Sequence, residues 1–163
     1  MRYWMRRYGI PRRTRSDAVY VRNHPNGDPF TFVGPKTIKD ATLFGMGLGL
    51  YWGEGTKASK NSVRLGNTDP LLIKKFIEFL LRFFGINRKD LRFALQIFSD
   101  MDPEEALAFW QKALRIRKRQ FYKTVVTRSG SIGTYRRKSQ TGVLTIYYNN
   151  KKLRELLGSL MPG

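Results

Sequence analysis

The residue best suited to chemistry in this sequence is Glu54, because it is the only carboxylate between residues 41 and 68. It closes a glycine-rich apolar run, residues 43–55, which contains the evenly spaced Gly45, Gly49 and Gly53. At the C-terminal end of a helix, a carboxylate faces the negative pole of the helix dipole and favours a cation beside it. If two copies of the helix pair about a two-fold axis, two Glu54 carboxylates come close together. Two negative charges at such a short distance favour the binding of a divalent metal ion.

The helix that must position Glu54 is predicted to begin near Lys39. Thr37 and Asp40 have the T-x-x-D form of a capping box, and Gly55 is expected as the left-handed residue after the helix end. Each internal glycine costs about 1 kcal/mol relative to alanine, so a compensating contact is required. The i, i+4, i+8 spacing places the three glycines on one face, which predicts a close helix–helix interface. The run of about a dozen apolar residues is shorter than the roughly 20 that span a bilayer.

The composition points to a folded protein with a polyanionic partner. The 163 residues include 31 Lys and Arg against 12 Asp and Glu, a net charge of +19, with 13% aromatic and 41% hydrophobic residues. This combination favours nucleic acid over a membrane, since no long basic amphipathic helix or lipidation signal is present. The chain has no cysteine, which excludes disulfides and thiolate chemistry. No apolar signal segment follows the N-terminus, so a cytoplasmic (nucleoid-associated) or organellar protein is expected and a secreted one is not.

The N-terminal part is predicted to be a basic arm. Residues 1–22 carry seven arginines and one acid, and Tyr3, Trp4 and Tyr8 suit a short helix that ends at Gly9. This segment resembles the recognition helix and following arm of helix-turn-helix proteins, although the chain starts too late for the supporting helices; a solvated basic tail is the alternative. Turn residues between 23 and 36 predict a linker, and His24 is expected there as a loop residue and not a catalyst. We therefore divide the chain into residues 1–36 and 37–163.

The rest of the chain predicts an α+β domain. Strands are expected at 56–59, 62–68, 91–98, 121–128 and 142–148, and helices at 69–85, 103–114 and 151–160. The acids in residues 100–105 could hold a metal, yet Asp102 as N-cap and Pro103 at the first helical position explain them as a helix start. Residues 115–138 contain nine basic residues and no acid. Together with a Ser/Gly loop they predict a segment that follows the phosphate backbone of a nucleic acid and includes Arg128, Arg136, Arg137 and Lys138.

Residues 47–55, Gly-Leu-Gly-Leu-Tyr-Trp-Gly-Glu-Gly, resemble the LAGLIDADG motif of homing endonucleases. In that family two such helices pack at a two-fold or pseudo-two-fold axis, and each delivers its last acid to the metal site. The motif positions match at Leu48, Gly49, Leu50, Gly53, Glu54 and Gly55. The sequence departs from the motif at Gly47 and at Trp52, where the family usually has its first acid. The predicted order of elements, with an extra helix at 103–114, is similar to the αββαββα domain of the family and its curved antiparallel sheet.

The resemblance implies a homodimeric, Mg²⁺-dependent, site-specific double-stranded DNA endonuclease of the kind that mobilises introns or inteins. One motif per chain implies two subunits and a palindromic or near-palindromic site. The resemblance assigns the metal site to Glu54 and Gly55 and a catalytic role at the scissile phosphate to Lys151. It assigns the dimer interface to Gly45, Gly49 and Gly53. Outward strand residues read bases in this family, and the corresponding positions here are Arg64, Arg92, Gln96, Lys123, Thr145 and Tyr147.

Other functions remain open from the sequence. Asp69 falls where the family keeps a polar residue that positions water, but it also suits a plain helix N-cap. A non-cleaving DNA-binding regulator with the same fold is the main alternative. An RNA-splicing maturase would use the same surface, and a basic ribosome-associated protein would not require the glycine-lined face.

Overall fold

The computed structural model describes residues 2–11, 14–129 and 141–161, which form six α-helices and a four-stranded sheet. The helices are α1 (Arg2–Arg7), α2 (Arg15–Asn23), α3 (Ile38–Glu54), α4 (Pro70–Phe84), α5 (Pro103–Leu114) and α6 (Lys151–Ser159). The strands are β1 (Val63–Asn67), β2 (Arg92–Phe98), β3 (Val125–Thr127) and β4 (Val143–Tyr148). The predicted α+β class is therefore confirmed. Within the described ranges, none of the helices has the length and apolar character needed to cross a membrane.

The helix starts follow the predicted capping residues. The Thr37 hydroxyl accepts a hydrogen bond from the Asp40 amide at 3.1 Å, which fixes the start of α3. Asp69 accepts from the Leu71 amide at 2.7 Å and begins α4. Asp102 caps α5 by accepting from two amides, at 2.7 and 3.1 Å. The capping explanation of the acids in residues 100–105 is thus confirmed.

The core lies on one face of the sheet. The predicted inward residues of β2, Phe93, Leu95 and Ile97, are buried, as are their neighbours on β1 and β4. The aromatic residues of α4 pack over this face, and α5 adds the buried Trp110. Fully burying each large apolar side chain stabilises the fold by about 1.5–3 kcal/mol. Among the described residues this packing lies on one face, and the alternating residues on the other face, such as Gln96 and Tyr147, are exposed or half-buried.

The sheet is mixed, so the predicted antiparallel sheet is wrong at one edge. The strand order is β1-β4-β2-β3; β4 runs antiparallel to β1 and β2, whereas β3 runs parallel to β2. Helix α5 lies between β2 and β3 in the chain, and such a crossover returns the chain in the same direction. The predicted strand at 121–128 is also shorter, since Val125–Thr127 form β3 and Phe121 meets Phe93 of β2 only in an isolated bridge.

The predicted strand at 56–59 and the predicted left-handed Gly55 are both wrong. Segment 56–59 contains a turn instead, and beside the isolated Gly55–Leu65 bridge the Thr56 amide donates to the Arg64 carbonyl at 3.0 Å. Gly55 is extended, with φ −73° and ψ 140°. A side chain at Gly55 would overlap the backbone and ring of Tyr51. Glycine is therefore needed here for close approach and not for positive φ.

The N-terminal region contains a helix that the sequence analysis missed. Helix α1 ends at Arg7, two residues before the predicted Gly9, whose φ is +62°. Residues 15–23 form α2 instead of a continued arm. Thr14 caps α2 by accepting from the Asp17 amide at 3.1 Å. After α2, the Thr31 and Val33 amides donate to carbonyls at the end of α4, at 3.0 and 2.8 Å. The division of the chain at residue 36 stays a prediction.

Candidate functional site

Helix α3 has one face anchored in the core. Gly47 and Tyr51 are buried on this face, and a Cβ at Gly47 would overlap the ring of Phe79. Gly47 thus brings the backbone of α3 directly onto α4. The Tyr51 ring stacks on Phe76 with a centroid distance of 6.0 Å. The departure from the motif at position 47 therefore has a packing cause within this chain.

The opposite face of α3 is open. Gly45, Gly49 and Gly53 are exposed, and outside the helix backbone no described atom lies within 4 Å of the positions their Cβ atoms would occupy. Trp52 is 59% exposed and Met46 45% exposed on the same side of the helix. The close contact predicted from the glycine spacing is therefore not made within the described chain, and an apolar, side-chain-poor surface is left uncovered.

Glu54 ends α3 in an exposed position. The Lys57 ammonium donates to the Trp52 carbonyl, so a cation already sits at the negative end of the helix dipole. The described residues contain no cluster of three or more His, Asp or Glu side chains that could hold a metal ion. Glu54 is a hard oxygen donor of the type that Mg²⁺ prefers.

The predicted base-contacting residues meet on the outer face of the sheet. In the strand register Tyr147 lies between Arg64 and Arg92, and the Arg64 guanidinium lies 4.9 Å from the centre of the Tyr147 ring. Thr145 lies between two small residues in the next row. Gln96 is exposed and donates to the Thr127 hydroxyl at 3.1 Å. The structure thus assembles these donors into one contiguous surface.

Two residues of this surface were missed by sequence reasoning. Tyr122 contacts the Tyr147 ring edge-to-face at 5.4 Å, and the Asn149 amide donates to the Tyr122 hydroxyl at 3.2 Å. An aromatic residue inside a basic segment was the available signal for Tyr122. The neighbouring Lys123 is exposed, as is Arg128, which directly follows β3. The predicted phosphate contacts Arg136, Arg137 and Lys138 lie outside the described residues.

Lys151 is held by the N-terminal helix α2. Its ammonium lies 2.9 Å from the Asp17 carboxylate and 3.7 Å from Glu155. Hydrogen bonds from the Thr14 hydroxyl and Lys151 lower the pKa of Asp17 to about 2, and the Asp17 carboxylate raises the pKa of Lys151. Lys151 is therefore a charged group that already has an anionic partner.

Helix α2 is docked through further polar contacts. Asn150 donates to the Tyr20 hydroxyl at 3.0 Å while its carbonyl oxygen caps α6 by accepting from the Leu153 amide at 2.9 Å. The Tyr20 hydroxyl also donates to Asp28 at 3.0 Å. His24 follows α2 and is a loop residue, as predicted. No residue of α2 is buried, so this docking depends on hydrogen bonds and ion pairs.

No protein-family model, curated protein or solved structure matches this chain significantly. The LAGLIDADG resemblance therefore depends on the motif residues and on the order of the elements. Asp69 is confirmed as the N-cap of α4, and its suggested role in positioning water stays a prediction.

Proposed function

We propose that this protein is a homodimeric, divalent-metal-dependent double-stranded DNA endonuclease of the LAGLIDADG type that acts at a near-palindromic site. The observation that carries the proposal is the open glycine face of α3, which leads to an exposed Glu54 while the opposite face is fixed in the core. A helix presented in this way suits tight pairing with its own copy about a two-fold axis.

Pairing through this face has a clear driving force. The glycines allow two helix backbones to approach closely, and the exposed Ile38, Met46 and Trp52 would lose contact with water. Fully burying a large apolar side chain contributes about 1.5–3 kcal/mol. The same pairing would bring two Glu54 carboxylates together and so provide two oxygen ligands for one ion.

The chemistry then follows from the paired carboxylates. A divalent ion held there would supply a water of lowered pKa and would neutralise charge on the scissile phosphate. Glu54 would bind the ion. Directly after Glu54, Gly55 allows the backbone to pass close to Tyr51. Lys151 is proposed to contact the phosphate after exchanging its Asp17 partner.

The outer face of the sheet is proposed to bind the DNA groove. Arg64 and Arg92 carry donors that match guanine, and Gln96 matches adenine. The Arg64 Nε donates to the Ser62 hydroxyl at 2.7 Å, which orients the guanidinium. The net charge of +19 favours the approach of a polyanion.

A non-cleaving DNA-binding regulator is the second candidate, favoured by one observation. The Lys151 side chain is only 25% exposed and is engaged by Asp17, so the proposed phosphate contact requires an exchange of partners. A protein that binds DNA without cutting would not need this exchange.

The experiment compares the wild type with Glu54→Gln and with Glu105→Gln, a matched loss of an exposed carboxylate at the other end of a helix. Each protein is incubated with a supercoiled plasmid library that carries degenerate palindromic sites, in Mg²⁺ or in EDTA. We expect Mg²⁺-dependent cutting by the wild type and Glu105→Gln. We expect Glu54→Gln to bind DNA but cut at least about 10²-fold more slowly, the order of magnitude lost with an electrostatic group at the reacting phosphate.

Light scattering of the same samples measures the oligomeric state. Equal cutting by Glu54→Gln, or a wild type that binds DNA only as a monomer, would refute the nuclease proposal. Wild-type binding that is tight in EDTA and unchanged by Mg²⁺, with no nicking of any bound site in Mg²⁺, would support the regulator.

A further inference from the structure

Two basic loops meet at the end of the sheet where β2 begins. The first contains the short 3₁₀ helix Arg88–Asp90, and the second contains the 3₁₀ helix Lys118–Gln120. The buried Gln120 side chain joins them by donating to the Arg88 and Leu91 carbonyls, at 3.0 and 3.2 Å. Its oxygen accepts from the Arg117 amide at 3.3 Å. A neutral amide therefore fixes the geometry of two positively charged segments.

The loops border an open pocket of about 270 Å³. Its cationic lining, which we call the basic cradle, comprises Arg88, Lys89, Arg115, Arg117 and Arg119. Within the described ranges no carboxylate forms an ion pair with any of these five side chains. Asp90 is an acid within the first loop, and Glu104 lies 3.9 Å from Lys118. Clustered like charges repel one another, so the arrangement favours an anion between them.

Arg115 in the basic cradle has an unusual backbone conformation. It adopts the left-handed conformation, with φ 52° and ψ 48°, and is the only non-glycine residue with positive φ in the described chain. Glycine is the preferred residue at this position after a helix because any Cβ is strained there. The backbone amide of Arg115 caps α5 by donating to the Gln111 carbonyl, a contact that glycine would also make. The cap therefore does not explain the arginine side chain, and local strain of this kind is a reason to look for a function.

The basic cradle is continuous with the outer face of the sheet. Arg92, the first residue of β2, donates to the Lys89 carbonyl at 2.7 Å and lies beside Tyr147 in the register. Tyr122, two residues after Gln120, donates its amide to the Phe93 carbonyl at 2.7 Å and contacts Tyr147. A DNA strand bound at the Arg64–Tyr147–Arg92 row would therefore have its backbone close to the cradle.

We propose that the basic cradle binds backbone phosphates of duplex DNA next to the base-contacting face of the sheet. This inference rests on the proposed function for its partner, but the phosphate-binding chemistry comes from the cradle alone. Phosphate contacts of this kind fix the register of the protein on DNA and contribute affinity without sequence preference. Each contact also makes binding more sensitive to salt.

The test uses Arg115→Gly and Arg117→Gln, with Lys74→Gln on α4 as the control that removes an equally exposed charge elsewhere. Affinity for a duplex DNA library is measured by anisotropy over a series of salt concentrations. We expect each cradle variant to lower the slope of log affinity against log salt by about 0.9 per lost phosphate contact. Arg115→Gly should also raise the melting temperature, since glycine relieves the strain. Lys74→Gln should leave the slope nearly unchanged.

The outcomes separate the cradle from the proposed function. If both cradle variants keep the wild-type slope, the cradle proposal is overturned while DNA binding stands. If the wild type binds no duplex DNA, the proposed function and the partner named here both fail. A titration with inorganic phosphate then decides the site chemistry: a shift of the Gln120 side-chain amide signal that Arg115→Gly abolishes supports an anion site, and no shift overturns it. Preferential binding to phosphatidylserine vesicles over DNA would overturn the nucleic-acid partner.

Discussion

The two faces of α3 use the same amino acid for opposite purposes. On the buried face, Gly47 removes a side chain so that Phe79 of the same chain can reach the backbone. On the open face, Gly45, Gly49 and Gly53 remove side chains where the described chain places nothing. Each glycine costs helix propensity, about 1 kcal/mol. The fold itself offsets that cost at Gly47, whereas at the other three positions no contact among the described residues offsets it.

The largest expected effect is on the buried face. In Gly47→Ala the new methyl group would overlap the Phe79 ring, so we expect a loss of about 1–3 kcal/mol in the free energy of unfolding, typical of overpacking. Urea denaturation measures this loss. A stability equal to or above that of the wild type would show that α3 can move away from α4, and the contrast between the faces would fail.

The matched substitution on the open face, Gly49→Ala, should increase the free energy of unfolding. Gly49→Ala meets no other side chain, so the diluted monomer should gain up to about 1 kcal/mol from helix propensity. Dimer formation should weaken, because the added methyl group separates the two backbones. Urea denaturation at low concentration and sedimentation velocity at high concentration measure the two effects. An unchanged dimer would place the subunit interface elsewhere.

The smallest expected effect concerns α2, which has no buried face and is held on the protein by polar contacts. The lowered pKa of Asp17 means that its contribution is complete above about pH 4 and disappears as pH falls through about 2. The raised pKa of Lys151 means that its contribution is present up to its ordinary range near 10.5 and is lost at higher pH. The side-chain carbonyl carbon signal of Asn150, followed by NMR, should report undocking at both extremes.

A variant identifies the group responsible for the acid transition. Asp17→Asn should remove most of it, while Glu155→Gln, which lies farther from Lys151, should retain it. An acid transition that survives in Asp17→Asn would assign it to another carboxylate, such as Asp28, whose pKa is lowered mainly by its hydrogen bond from Lys152.

Local signals made much of the fold predictable. The caps at Thr37, Asp69 and Asp102 depend on one side chain and an amide two or three residues away, so the sequence alone reveals them. The alternation in β2 and the apolar spacing in α4 likewise identify the core. The same T-x-x-D signal occurs at Thr14 and Asp17, and it would have located α2.

Long-range choices were not predictable. The parallel direction of β3 depends on the path of the chain through α5, and an alternating pattern carries no information about strand direction. The docking of α2 depends on Asn150 and Lys151, more than 120 residues away in sequence. The glycine spacing did isolate Gly45, Gly49 and Gly53 as one face, but only the position of Phe79 explains why Gly47 is different.

The ion pair between Asp17 and Lys151 couples the docking of α2 to the binding of any phosphate that contacts this lysine. The carboxylate and the phosphate compete for one ammonium group, so occupancy by either weakens the hold of the other. A nucleic acid that captured Lys151 would weaken the docking of α2, and a factor that held α2 in place would lower the affinity for that nucleic acid to the same extent.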